Sequence, residues 1–283
     1  MNITPLYLVL SLATMPAFAA PLHLDVYNPQ EKGIFPVSST LVSGPKEAVL
    51  FDAQFSVKDG EKLVQMIKAS GKTLKAIVIT SSDPDFYFGL EPLVKAFPQA
   101  KVVASQAVVD RIRATKDAKL AFWGPKMKDG VPTNIIVPQA TNATRFTIDG
   151  EPVELKHSGE YAAYVWIPAN RAILGGTGIA SGLHVWTADA QTPAVRQGWI
   201  AVLSEMQSLK PQQVIPGHYL GARPTNDEAI TFTYNYLQKF EQALTSQKGS
   251  AAAIGTMKAA YPNLADESSL EFSAKVNTGE MKW

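Results

Sequence analysis

Ser81, Asp83 and Asp85 follow an apolar run in the stretch VITSSDPDFYFGLEPLV, residues 78–94. A strand end that delivers three oxygen-bearing side chains into a turn sets them at the mouth of a sheet, where sites in α/β folds sit. Pro84 separates the two aspartates, and its fixed φ stiffens the turn and favours an extended Asp83. Two carboxylates this close repel when both ionise, and a bound cation would relieve that repulsion. The same Asp-Pro-Asp is also ordinary turn chemistry, with one carboxylate capping a helix that starts near Gly89. His218, in Pro216-Gly217-His218 after an apolar strand, is either a ligand or a hydrogen-bonded strand end. For His157 and His184 a pocket role stands level with a polar tip satisfied by nearby backbone. Trp123, Trp166, Trp186 and Tyr87 are candidate pocket aromatics that core packing would equally explain. With no cysteine in the chain, thiolate ligands and thiol nucleophiles are excluded. Ser81-Ser82 beside Asp83 has no local histidine, so a serine triad would need a distant one. The glycine-rich GGTGIASG, residues 175–182, lacks the strand, G-x-G-x-x-G and helix order of a dinucleotide site.

The elements that must position these groups alternate strands with helices. TLVSG and EAVLFDA, joined across Pro45-Lys46, read as a hairpin ending in Asp52. A helix follows with Leu63, Val64 and Ile67 on one face and a stop at Gly71. LKAIVIT is a continuous apolar run, typical of a strand covered on both faces. A second unit adds a helix from Gly89, the strand KVVAS and a long amphipathic helix, then a loop from Pro125 to Asn142. Asp149-Gly150 marks a second hairpin, and AAYVWIP and RAILGG are strands around Pro168-Ala169-Asn170. The last third predicts a helix over about 194–209, a strand QQVIPGH, a helix over 227–245 and a polar, Ala-rich tail with room for one more helix. Two β-rich halves, each ending in helices, predict an α/β sandwich of two sheets packed face to face with helices outside.

At 283 residues, 46% hydrophobic and 18% charged, the chain can bury a sizeable core. Its 26 basic and 25 acidic residues are dispersed, which argues against a nucleic-acid partner. The opening MNITPLYLVLSLATMPAFAA combines an apolar run too short to span a bilayer with a small-x-small site. Residues 1–19 are therefore expected to be a signal peptide and 20–283 a single secreted or periplasmic domain, with no membrane span.

The turn ITSSDPDFYFG resembles the signature of the metallo-β-lactamase superfamily, T-H-x-H-x-D-H, in a subgroup form reading I-T-H-x-D-P-D-H-Y-F-G. EAVLFDA resembles that family's strand before the motif, and VIPGHYL its late Pro-Gly-His element; the similarity spans roughly residues 41–220. The resemblance implies a four-layer αββα sandwich of two mixed β-sheets flanked by helices. It puts Ser81 where the first histidine belongs, Asp83 at the second ligand, Asp85 at the motif aspartate and Phe86 at the last histidine. It also implies that His218 serves the second metal position, that His157 or Glu160 stands in for the third histidine, and that Thr177 occupies the bridging carboxylate position. His184 falls at the pocket rim. Ser is a poor zinc ligand and Phe86 is none, so the set Asp83, Asp85, His218 and His157 implies one weakly held divalent ion, Zn or the harder Mn, Mg or Ca, or none at all. One reading is metal-assisted hydrolysis of a small ester, lactone, lactam or phosphoester, with Asp85 orienting or deprotonating the water. The other is a non-catalytic protein that keeps the pocket for a small ligand or a partner.

Overall fold

The computed structural model describes residues 21–157, 163–246 and 248–283, so the expected signal peptide and Glu160 lie outside the described residues. A six-stranded sheet runs in spatial order through β1 (His23–Tyr27), β2 (Ser39–Ser43), β3 (Glu47–Phe51), β4 (Thr73–Ile79), β5 (Lys101–Ser105) and β6 (Gln139–Thr141). Strands β1 to β3 are antiparallel and β3 to β6 parallel, so the sheet is mixed. The parallel crossovers are helices: α1 (Val57–Ser70), the pair α2 (Pro84–Tyr87) and α3 (Leu90–Ala96), and α4 (Gln106–Met127).

In the second half, β7 (Arg145–Ile148), β8 (Glu151–Lys156), β9 (Tyr164–Ile167) and β10 (Ala172–Leu174) form an antiparallel run. After the short β11 (Ala180–Ser181), the strand β12 (Gln213–Ile215) joins β10 in parallel, so this sheet is mixed too. β11 pairs separately with β13 (His218–Tyr219). Helices α5 (Pro193–Ser208), α6 (Glu228–Ser246), α7 (Ser250–Ala260) and α8 (Glu267–Asn277) complete this half.

Three apolar layers hold the four structural layers together. Between the sheets, Val42, Phe51 and Val78 meet Val153, Val165 and Leu174. Leu63, Ile67, Leu93 and Ile112 pack the first helices on one sheet, and Trp199, Leu203, Phe240 and Leu270 pack the others on its partner. Burial of each such side chain contributes roughly 2 kcal/mol. The architecture is the αββα sandwich anticipated above.

Local chemistry fixes the element ends. Ser56 caps α1 by accepting the Asp59 amide, and Gly71 closes it at φ 66°, a left-handed value that glycine reaches without strain. Asp149 and Gly150, at φ 50° and 90°, turn the β7–β8 hairpin. Three segments depart from expectation. The helix expected to end before Pro125 continues through it to Met127, a late position where only one ladder bond is lost. The expected loop over 125–142 also contains β6, a three-residue edge strand too exposed and short to show alternation. The expected polar tail forms α7 and α8, whose Met257, Leu270 and Ala274 are fully buried. No helix among the described residues is long and apolar enough to cross a membrane.

Candidate binding cleft

The cleft opens where the first sheet's parallel strands end. Asp52 leaves β3 at φ 63°, a value uncommon for aspartate, and its amide bonds the Val78 carbonyl at 2.9 Å. The Ala53 amide then donates to the Phe86 carbonyl at 2.7 Å, and the Gly89 amide to the Gln54 carbonyl at 2.9 Å. These bonds fasten α2 beneath the β3 exit. The Asp52 carboxylate accepts from the Thr80 amide at 2.8 Å and from the Thr80 hydroxyl at 2.9 and 3.0 Å. Burial, opposed by the Thr80 bonds and reinforced by nearby Asp85, pushes its pKa up to about 7.

On this base the strand-end turn is ordered by the Asp83 amide, which donates to the Ser81 hydroxyl at 3.2 Å. Asp83 is the residue before α2, not a cap near Gly89, and its side chain makes no capping bond. Its carboxylate lies 3.8 Å from the Lys119 ammonium of α4. Asp85 faces the other half of the molecule. His218 Nε2 donates to Asp85 Oδ2 at 2.5 Å across 133 positions of sequence, and the Phe86 ring packs edge-on against the imidazole at 5.3 Å.

Asp83, Asp85, Thr177, His184 and His218 all line one cleft. Ser81, Ser82 and Phe86 are buried beneath it rather than in its wall. His157 does not reach the cleft: at φ 59° its ring turns to α5, where Nε2 meets Glu205 at 2.8 Å, and the Tyr164 hydroxyl donates to the same carboxylate at 2.7 Å. Of the candidate aromatics, Trp123 and Trp186 line the cleft, Trp166 packs against the second helical core, and Tyr87 is fully buried.

Among the lining residues that the sequence did not single out are Lys119, Asp189 and Trp283. Asp189, with its side chain 4% exposed, accepts from the Trp186 indole at 2.7 Å and the Trp283 indole at 2.9 Å. Lys119 stands 3.6 Å from Asp189 and 4.5 Å over the Trp283 ring, with Arg111 at 3.8 Å from the same carboxylate. They come from a helix, a loop and the chain's last residue, so no local pattern links them.

This donor set does not fit a zinc site. A catalytic zinc takes about three protein ligands plus water, and among the described residues no three His, Asp or Glu side chains gather to hold an ion. Asp85 and His218 spend their facing atoms on each other, Phe86 fills the adjoining position with carbon, and His157 is tied to Glu205.

No family model matches the chain. Over 104 residues it is 31% identical to the uncharacterized protein YobT of Bacillus subtilis (strain 168), a match covering 36% of this chain and 43% of that protein. Among solved structures it is similar to a metallo-beta-lactamase family protein from Thermus thermophilus, with a TM-score of 0.61, 15% identity and 91% of each chain covered. It is also similar to a metallo-beta-lactamase from Pontibacter korlensis, with a TM-score of 0.54, 22% identity, 77% of this chain and 94% of that one covered. The chain has the metallo-β-lactamase fold.

Proposed function

We propose that this protein is a receptor for a small organic molecule, built on a hydrolase-type scaffold whose metal chemistry has been replaced by a direct side-chain contact. The observation that carries this reading is the 2.5 Å bond from His218 to Asp85 with Phe86 packed on the imidazole. Two groups that would share an ion instead satisfy one another, while the cleft above them keeps five aromatic side chains in its walls and polar groups at its floor. A concave, mostly apolar site with a few convergent polar groups is what small-molecule binding requires. The apolar run and Ala-Phe-Ala site in residues 1–20 support a site of action after export.

Elemental analysis of protein purified through its own export route, without chelators, tests the reading. The expected result is below about one-tenth of an ion per chain, and no thermal stabilisation on adding zinc or manganese. About one ion per chain, lost on Asp83→Ala together with hydrolysis of ester or lactam substrates, would overturn it in favour of a metal-dependent hydrolase.

A further inference from the structure

The walls and floor of the cleft specify a charge for its occupant. Phe35, Phe55 and Trp123 form one aromatic cluster in the lining, with ring centroids 5.0 to 5.9 Å apart, and Trp186 and Trp283 form a second pair at 5.7 Å. Four carboxylates line the same space: Asp83, Asp85, Asp189 and Asp266. Against them stand Lys119 in the wall, Arg111 from outside it, and His218, whose Nε2 is bonded to Asp85. An anion entering here meets an excess of like charge, whereas a cation meets carboxylates and the negative faces of indole rings together. Lys119 already sits over Trp283 between Asp83 and Asp189, so an incoming ammonium shares Asp83 with it, and the net excess of carboxylates in the lining, not a vacant carboxylate, favours the cation.

An independent feature points to a polar atom on the ligand. His184 lines the cleft and is 1% exposed, yet only one of its ring nitrogens is engaged among the described residues: Nδ1, with the Tyr236 hydroxyl at 2.9 Å. Nε2 of the buried ring is left without a partner among the described residues, a donor in one tautomer and an acceptor in the other. Burial keeps the ring neutral by lowering its pKa.

We propose that the cleft recognises an organic monocation with an apolar or aromatic body, its ammonium group held by the indole faces and by Asp83 alongside Lys119, and a polar atom of its body hydrogen-bonded to His184 Nε2. This rests on the receptor reading above. Three matched probes test it by titration of tryptophan fluorescence or heat: benzoylcholine, its uncharged isostere 3,3-dimethylbutyl benzoate, and the carboxylate 4-(benzoyloxy)butanoate. Benzoylcholine is expected to bind roughly tenfold or more tighter than the isostere, and the carboxylate weakest. Asp83→Asn, which preserves shape, should lower the affinity of the cation roughly fivefold and leave that of the neutral ester unchanged. Trp283→Leu should likewise weaken the cation selectively, with thermal melting confirming that each variant is folded. Equal binding of cation and isostere, preference for the carboxylate, or no binding by any probe would overturn the assignment. Benzoate release during the titration would overturn the receptor reading while leaving the preference for a cation intact.

Discussion

Asp52 should make stability depend on pH in a direction opposite to most carboxylates. A free aspartate ionises near 3.8, whereas enclosure beside Asp85 holds Asp52 protonated until about 7. Between those values the folded state binds a proton that the unfolded chain has released. Its contribution is therefore fully present below the unfolded value and lost as pH rises through the folded one. At ~1.4 kcal/mol per pH unit, the span corresponds to about 4 kcal/mol. Glu91 and Asp149, whose pKa values are lowered by hydrogen bonds to Thr133 and to the Lys46 amide respectively, act in the opposite sense, so the comparison must be with a variant rather than with a curve alone. Asp52→Asn keeps an oxygen for the Thr80 amide and hydroxyl and removes the titration. Urea unfolding of both proteins, followed by tryptophan fluorescence from about pH 5 to about pH 8, should show the variant gaining on wild type by up to about 3 kcal/mol as pH rises. A difference that stays flat across this range would refute the reasoning, because it would mean that the Thr80 bonds hold Asp52 ionised throughout.

Phe86→His should add an imidazole beside Asp85 and His218 and raise zinc affinity at least about tenfold over wild type, read by competition with a chromophoric chelator. Unchanged affinity would show that the Asp85–His218 bond resists opening. Gly217→Ala would set a Cβ 1.7 Å from the Gly176 carbonyl oxygen, backbone against backbone, and should cost about 3 kcal/mol in denaturant unfolding. Arg196 is buried against Glu241, Asn277 and the Ala190 carbonyl, so Arg196→Met should cost about 3 kcal/mol, and adding Glu241→Leu should restore much of that loss.

What the sequence disclosed divides by the range of the forces involved. Helix α1 and the two hairpins are encoded in a few adjacent residues, such as Leu63 and Ile67 on one face or Asp149-Gly150 at a turn, and they form as read. Strand β6 leaves no such trace, since its pairing with β5 and not its own side chains makes it a strand. The same holds in the cleft. Asp83 and Asp85 were legible because they end an apolar strand, and His218 because Pro-Gly-His follows one. Where His157 points was not legible, since a positive φ and a partner 48 positions away decide it. Lys119, Asp189 and Trp283 converge by tertiary packing alone, and the final tryptophan lay in a segment that reads as a polar tail.

The Asp85–His218 bond also bears on why the cleft keeps its shape. Asp85 belongs to α2 in the first half and His218 to β13 in the second, so an ion held between them would crosslink the two halves. The direct bond makes the same crosslink, and its surroundings stiffen it: Asp52 and Thr80 from below, Phe86 against the ring, and Gly217 lying on the Gly176 backbone. A scaffold so fastened has little ordering left to do when a ligand enters, and the binding free energy that closing a mobile site would have consumed remains available as affinity. A strand-end turn that carries Ser81 and Phe86 is thus compatible with a preformed cleft, because the Asp85–His218 pair joins the two halves by a direct bond.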